Sequence, residues 1–418
     1  MDPQSPATGP AAGLDGIHIR RVADDEFNAY GSAIEAAFGE ELSPSRLELE
    51  RSTFEPDRSL GVFTSDGEVV GSSGAFSFEL SLPGGTSAAC AGVTAVSVRQ
   101  DHRRRGLLTA MMHRLLAQAD ERGEPFAALW ASEGGIYGRY GFGPAIPTTR
   151  IEVARDRLVL RDPVSAAQVR VIGAAAAVGP VAELYERARS QRPGLLSRSA
   201  AWWHRLLVHD PVDERDGAGP RTIAVLPDGG YVVYRLQPRW ERDVPSGTVR
   251  VEELVSLHPR ATAQLWTYLG ASDLATTITA QGRPTDDPLR SMVVDPAHVH
   301  VRSGSPVYLR ILDVPAALEA RRYLADEQII LEVTDPLFPA RSGRFEVAVT
   351  DGVAQVTRTD AAADVALGIE ALGSLCLGGV RPTVLRQAGR LDERRSGAVA
   401  RSERLLASDQ APMQSSEF

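Results

Sequence analysis

Apolar positions in this chain recur with two different periods, and the order of those periods sets out three α/β segments in succession. A β-branched run opens at Ile17 and is followed by a helical stretch and then three strands. Val62-Phe63-Thr64 and 69–78 flank the turn Ser65-Asp66-Gly67, Pro83-Gly84-Gly85 closes the next hairpin, and 91–98 follows. Leu107, Leu108, Met111, Met112, Leu115 and Leu116 then recur at helical spacing, which predicts a helix over 107–119, and 126–130 reads as a further strand. A second pass through the same order has helices at 184–189 and 202–208, a hairpin of 223–226 and 231–236 around Pro227-Asp228-Gly229-Gly230, a strand at 249–257 and a helix at 260–268. In the third segment 307–312, 329–333, 344–349 and 354–357 are strand-like, and 314–324, 369–375 and 382–385 are helical. The expected domains are therefore 17–155, 156–294 and 295–418. Residues 1–16, rich in Pro, Ala and Gly, read as a floppy leader, since they lack the basic and apolar regions of a signal peptide.

Length supports this division, because 418 residues exceed what one ordinary core holds together. No apolar run is long enough to span a membrane. All 45 basic residues are arginine, which excludes Schiff-base and P-loop lysine mechanisms. A net charge of −9 disfavours nonspecific nucleic-acid binding and favours the approach of cationic amines. Cys90 and Cys376, both in apolar surroundings and without a CxxC pairing, read as reduced core thiols of a cytoplasmic protein.

The richest chemistry lies between 95 and 142. A strand ending at Val98 is followed by Arg103-Arg104-Arg105-Gly106 and the start of the 107–119 helix. Such a turn binds anions: the first N–H groups of a helix have no backbone partner, the macrodipole is positive there, glycine admits a ligand close to the backbone, and arginines add charge. There is no GxxxxGK[ST], and no GxGxxG follows an opening strand. Some thirty residues on comes Ser132-Glu133-Gly134-Gly135-Ile136-Tyr137-Gly138-Arg139-Tyr140-Gly141-Phe142. Either Tyr137 or Tyr140 could serve as an acid there, or merely pack against the sheet. His102 and His113 lack companions at metal-ligand spacing, so no metal is expected.

Arg103-x-x-Gly106-x-Leu108 resembles the acetyl-CoA loop of the GNAT acetyltransferases, with a departure at Leu108, where that pattern has Gly or Ala. Together, HRRRGLL and ASEGGIYGRYGFGPA resemble the enhanced intracellular survival (Eis) proteins, acetyl-CoA-dependent aminoglycoside N-acetyltransferases. The likeness continues through 314–320, 359–363, 372–375 and the terminal Glu417-Phe418.

This resemblance implies two tandem GNAT-like mixed-sheet domains, the second without its cofactor loop, followed by a sterol-carrier-protein-like α/β domain. It implies that acetyl-CoA is held by Val96, Ser97 and Val98 along the strand, by Arg103, Arg104, Arg105, Gly106, Leu107, Leu108 and Thr109 at the loop, and by Ser132 and Glu133. It makes Tyr137 the general acid and the C-terminal carboxylate of Phe418 the general base, with Glu40 and Glu417 facing a small-molecule polyamine. A homohexamer with no nucleic-acid or membrane partner completes the expectation. Two other readings stay open: an acyltransferase acting on a polyamine, peptide or protein amine, and a non-enzymatic protein whose third domain binds a lipid.

Overall fold

The computed structural model describes residues 16–418, so the leader read over 1–16 lies, Gly16 apart, outside the described residues. The chain forms two units, residues up to Phe76 with Val93–Arg122 making one and Ser77–Gly92 with Gly123–Phe418 the other.

In the first unit β1 (Ile17–Arg21) pairs antiparallel with β2 (Ser59–Thr64), which pairs antiparallel with the start of β3 (Val69–Ser81). The end of β4 (Ser87–Val98) also belongs here. Two helices, α1 (Phe27–Phe38) and α2 (Pro44–Thr53), separate β1 from β2. Ser43 caps α2 by accepting the Arg46 N–H, and Gly39 ends α1 in the left-handed conformation. The helix α3 (Leu107–Glu121) buries Leu107, Met111, Met112, Leu115, Leu116 and Ala119, the stripe its periodicity foretold except that Leu108 is half-buried and Ala119 joins it. Each large apolar side chain on that stripe contributes about 1.5–3 kcal/mol of burial.

In the second unit Cys90, Ala91 and Gly92 of β4 run parallel to β5 (Phe126–Trp130). The short helix α4 (Gly134–Tyr137) leads to β6 (Gly143–Ile146). A second sheet is built from β7 (Thr149–Ala154), β8 (Arg170–Ile172), β9 (Thr222–Leu226), β10 (Gly230–Gln237), β13 (Gly247–Ser256), β14 (Ala275–Arg283) and β15 (Val299–Ser303). Between β10 and β13 the chain makes a two-stranded ribbon, β11 (Trp240–Glu241) and β12 (Val244–Pro245). The core of this sheet lies on both faces: Leu265, Trp266 and Leu269 cover one side with Val249, Val251 and Ile278, while Val181, Leu184 and Tyr185 cover the other with Ile223, Val225 and Tyr231. The helices involved are α5 (Ala174–Arg189) and, past the short α6 (Ala200–Trp203), α7 (Pro259–Gly270).

Val307–Ile311, which the sequence reading grouped with the third segment, forms β16 and hydrogen-bonds on one side to β5 and on the other to β6. Periodicity marks it as a strand but cannot name its partners. The third sheet has the order β19-β18-β17-β20-β21, with β17 (Gln328–Thr334), β18 (Gly343–Thr350), β19 (Val353–Arg358), β20 (Val365–Gly368) and β21 (Leu391–Glu393). Ile329, Leu331 and Val333 alternate inward, with Ile329 opposite Val347 and Leu331 opposite Phe345. Among the described residues no helix is long and apolar enough to cross a membrane.

Candidate active site

The loop expected to bind the cofactor begins with an irregular strand. Ala95 takes a left-handed φ of 53° inside β4, a conformation that costs an alanine about 1–2 kcal/mol. Ser72 holds it: its hydroxyl donates to the Ala95 carbonyl at 2.7 Å and lies 2.7 Å from the Ser97 hydroxyl. Val96, Ser97 and Val98, half-buried, follow this kink. Arg103 returns its Nε–H to the Val98 carbonyl at 3.1 Å, which closes the loop on the strand end.

Arg104 (φ 62°) and Gly106 (φ 81°) then turn the chain into α3. A Cβ at Gly106 would meet nothing within 4 Å, so glycine is required by conformation, and open space stands over it. No side chain caps α3, and Arg103, Arg104, Arg105, Gly106 and Thr109 are exposed around its first turn, with Leu108 half-buried and Leu107 seated in the core. A positive helix end without a side-chain cap and three exposed guanidiniums fit a pyrophosphate.

The corresponding helix of the second sheet is built differently. His258 precedes α7, and its Nδ1 accepts the Ala261 N–H at 3.1 Å, so this helix start is capped by the protein itself. The loop that lacks a glycine has thus also filled part of its own anion seat.

In the second unit, Ser132 and Glu133 are exposed after β5, and Glu133 stands at the N-cap of α4. Tyr137 ends that helix with its ring buried edge-on against Phe142, centroids 6.1 Å apart. Burial, with Glu133 and Tyr140 adding repulsion, pushes its phenol up to about 12, so it keeps its proton throughout the neutral range. The following turn is clamped. Arg310, fully buried on β16, donates to the Tyr140 carbonyl at 2.6 Å and pairs with Asp335. A Cβ at Gly141 (φ 79°) would lie 1.6 Å from that guanidinium, and one at Gly143 would lie 1.8 Å from the Glu370 carbonyl. These glycines let the turn press against β16 and the helix at Ile369–Leu375.

The chain terminus is held along its last six residues, Met413 to Phe418. Met413 is buried in the α5 core, and its N–H reaches the Pro193 carbonyl at 2.9 Å. Ser415 donates to Glu253 at 2.5 Å, and the Ser416 carbonyl accepts Trp130 Nε1 at 3.1 Å. The Phe418 ring meets Phe78 edge-on at 5.3 Å, and Phe78 in turn packs on Trp202 at 5.5 Å. Gly92 makes room, since a Cβ there would fall 2.4 Å from Phe78 and 3.2 Å from Phe418. Glu417, by contrast, is exposed.

Glu40, exposed beyond α1, lies in the first unit, and its N–H bonds to the Glu35 carbonyl at 2.9 Å. Glu35 is the buried acid of this corner: burial, against Arg46 at 3.5 Å and with Glu40 and Glu50 nearby, raises its carboxyl. Nothing in the sequence singled out Glu35, Trp130, Glu253 or Ser415. Cys90 and Cys376 are buried thiols, and burial pushes that of Cys376 up to about 11. His102 bonds to Asp101, and among the described residues no group of three His, Cys, Asp or Glu could hold a metal.

Comparison with known proteins matches this geometry to acetyltransferases. Two acetyltransferase (GNAT) domain profiles match residues 18–145 and 194–311, and a sterol carrier protein domain profile matches 314–415. An uncharacterized N-acetyltransferase of Streptomyces coelicolor is 40% identical over 392 residues, covering 92% of this chain and 95% of that protein. N-acetyltransferase Eis of Mycobacterium tuberculosis is 35% identical over 398 residues, again 92% and 95% of the two chains. The crystal structure of Eis1 from Mycobacterium abscessus superposes with a TM-score of 0.85 at 32% identity, over 96% of this chain and 100% of that one.

Proposed function

Because this chain belongs to the Eis family of N-acetyltransferases, we propose that it carries acetyl directly from acetyl-CoA to amines of aminoglycoside-like polycations. The observation that supports this reading is the held terminus: the Phe418 ring packs on Phe78 and the Ser416 carbonyl is tied to Trp130, where most chains fray.

Acetyl-CoA supplies an activated thioester, and the residues do the rest. The Arg103–Thr109 loop binds its phosphates, Ser132 and Glu133 contribute further contacts, and the backbone of Val96, Ser97 and Val98 orients the pantetheine and polarises the carbonyl. The Phe418 carboxylate removes a proton from the incoming ammonium, directly or through a water. The freed amine adds to the carbonyl carbon, the C–S bond breaks as the nitrogen releases its second proton to water, and Tyr137 gives its proton to the departing thiolate and regains one from solvent. Burial of both cysteines supports direct transfer, since neither thiol is placed to take the acetyl group. Glu40 and Glu417, both exposed, supply negative charge toward a polycation. A homohexamer working in the cytoplasm completes the reading.

Calorimetric titration with acetyl-CoA, followed by mass spectrometry of aminoglycosides and linear polyamines incubated with both, tests it. Binding, with one or more acetyl groups added to an aminoglycoside, is the expected result. Absence of acetyl-CoA binding overturns the enzymatic reading, and acetylation confined to the linear polyamines overturns the substrate class.

A further inference from the structure

The second domain, whose cofactor loop is gone, carries a buried carboxylate with an unusual third partner. Glu253 lies on β13 with its side chain 10% exposed. Arg198 grips it with two N–H groups, at 3.0 and 2.6 Å, and is itself stacked over Tyr185 (3.9 Å) and Trp203 (4.8 Å). Tyr231 donates its hydroxyl at 2.6 Å. A buried ion pair persists only when its remaining lone pairs are also satisfied, and Arg198 and Tyr231 achieve most of that within the domain. The remaining donor comes from the tail: Ser415, half-buried, at 2.5 Å from Oε1.

Two glycines extend this seat into a track. Gly282 adopts a φ of 60°, and a Cβ there would stand 2.9 Å from Ser415 Cα and 3.4 Å from the Gln414 carbonyl. At Gly194 (φ 95°) a Cβ would stand 2.8 Å from the Met413 carbonyl. The tail backbone therefore lies flush on the domain at both positions, with Ser415 pinned between the buried Met413 and the packed ring of Phe418.

We propose that Glu253, oriented by Arg198 and Tyr231, is a positioning residue that sets the register of the C-terminal tail through Ser415 and so places the Phe418 carboxylate. Phe418 is three residues beyond the grip, a span of at most about 10–11 Å of extended chain. A charge-assisted hydrogen bond to an immobilised acid restrains that span better than a neutral contact does. This role rests on the reading of Phe418 as the base. It assigns the second domain a task in the reaction, to hold the tail, in place of cofactor binding.

The test uses the full-length protein in four forms: Ser415→Ala, Ser415→Thr, Glu253→Gln and a chain lacking Phe418. One readout is turnover at saturating acetyl-CoA with tobramycin, or with whichever amine of a panel the unaltered protein acetylates best. The other is the rate at which carboxypeptidase A frees Phe418, which needs no activity. Ser415→Ala and Glu253→Gln are expected to lower kcat about tenfold or more with KM for acetyl-CoA within about twofold, and to expose Phe418 to the peptidase. Ser415→Thr, which keeps the hydroxyl, restores both. Should Glu253→Gln fail to fold, Ser415→Ala decides, since it removes one half-exposed oxygen. Unchanged kcat and an equally protected terminus in Ser415→Ala, beside an inactive des-Phe418 chain, would overturn the positioning role and leave the base in place. A fully active des-Phe418 chain would overturn the base, and the catalytic purpose of the grip with it.

Discussion

Substituting Gly92 by alanine separates a steric account of the tail from a merely local preference for glycine. Gly92 lies in regular strand, paired in parallel with Ala128, and its φ is outside the left-handed region. On backbone grounds alone alanine should therefore stabilise the strand by about 0.5–1 kcal/mol. The packing predicts the reverse, because the new methyl group would stand 2.4 and 2.5 Å from two Phe78 carbons and 3.2 Å from Phe418. Carbon pairs favour about 3.5–4.0 Å, so the Phe78 ring must retreat by roughly 1 Å. Its ring neighbours Trp202 at 5.5 Å and Phe418 at 5.3 Å would take up that movement. Overpacking of this kind costs about 1–3 kcal/mol, which set against the backbone gain leaves a net loss of about 0–2.5 kcal/mol. A displacement near 1 Å passed on to Phe418 should lower kcat on the order of a hundredfold, with KM for acetyl-CoA nearly unchanged. Urea denaturation and steady-state kinetics on the purified variant check both parts. A Gly92→Ala protein that is more stable than the parent and turns over at full rate would refute the reasoning.

Gly106→Glu should abolish acetyl-CoA binding, because it sets a carboxylate at an uncapped helix start and forces a left-handed φ on a non-glycine residue, while the exposed position spares the fold; unchanged affinity by calorimetry would contradict this. Tyr137→Phe should lower turnover far more than acetyl-CoA affinity, and Tyr140→Phe should be milder; kinetics ranking them the other way would move the acid role to Tyr140. For Glu253, burial alone would raise the carboxyl, but Arg198, Ser415 and Tyr231 outweigh it and hold the group below its ordinary value. A depressed carboxylate contributes stability that is present above its unfolded-state value, about pH 4.3, and is lost as pH falls through the folded one. The stability advantage of the parent over Glu253→Gln, read as the first urea midpoint, should thus persist at neutral pH and shrink below about pH 4; an advantage that grows on acidification would contradict the pairing.

How much of this could be read from the sequence depended on whether the signal was local. The helix at Leu107–Glu121 and the strand at Phe126–Trp130 stand where periodicity put them, since each declares itself within its own residues. The helix read at 184–189 extends back to Ala174, hidden by a run of small residues and Pro180 that carries no apolar stripe. That read over 202–208 is a short helix passing into a π-type turn at His204–Val208, and that over 314–324 stops at Ala320, where Arg321 turns inward to bond the Cys376 and Ala407 carbonyls. The purpose of the glycines at 141 and 143 lies with Arg310 and Glu370, far away in sequence, and no local signal announces it. Ala95 in a left-handed conformation goes against its own propensity and is held by Ser72, so no local rule could announce it. The tail residues were legible only through family likeness, because Glu253, Trp130 and Gly92 meet them solely in three dimensions.

The most direct test of the account is the turnover of a chain ending at Glu417, measured with saturating acetyl-CoA and an aminoglycoside acceptor beside the full-length protein. Removing Phe418 shifts the terminal carboxylate by one residue, about 3.3–3.6 Å, which is more than a proton relay at hydrogen-bond distance tolerates. Acetyl-CoA affinity and thermal unfolding should stay close to those of the full-length chain while acetyl transfer collapses. Undiminished transfer by the shortened chain would contradict the central claim that the terminus itself is the base.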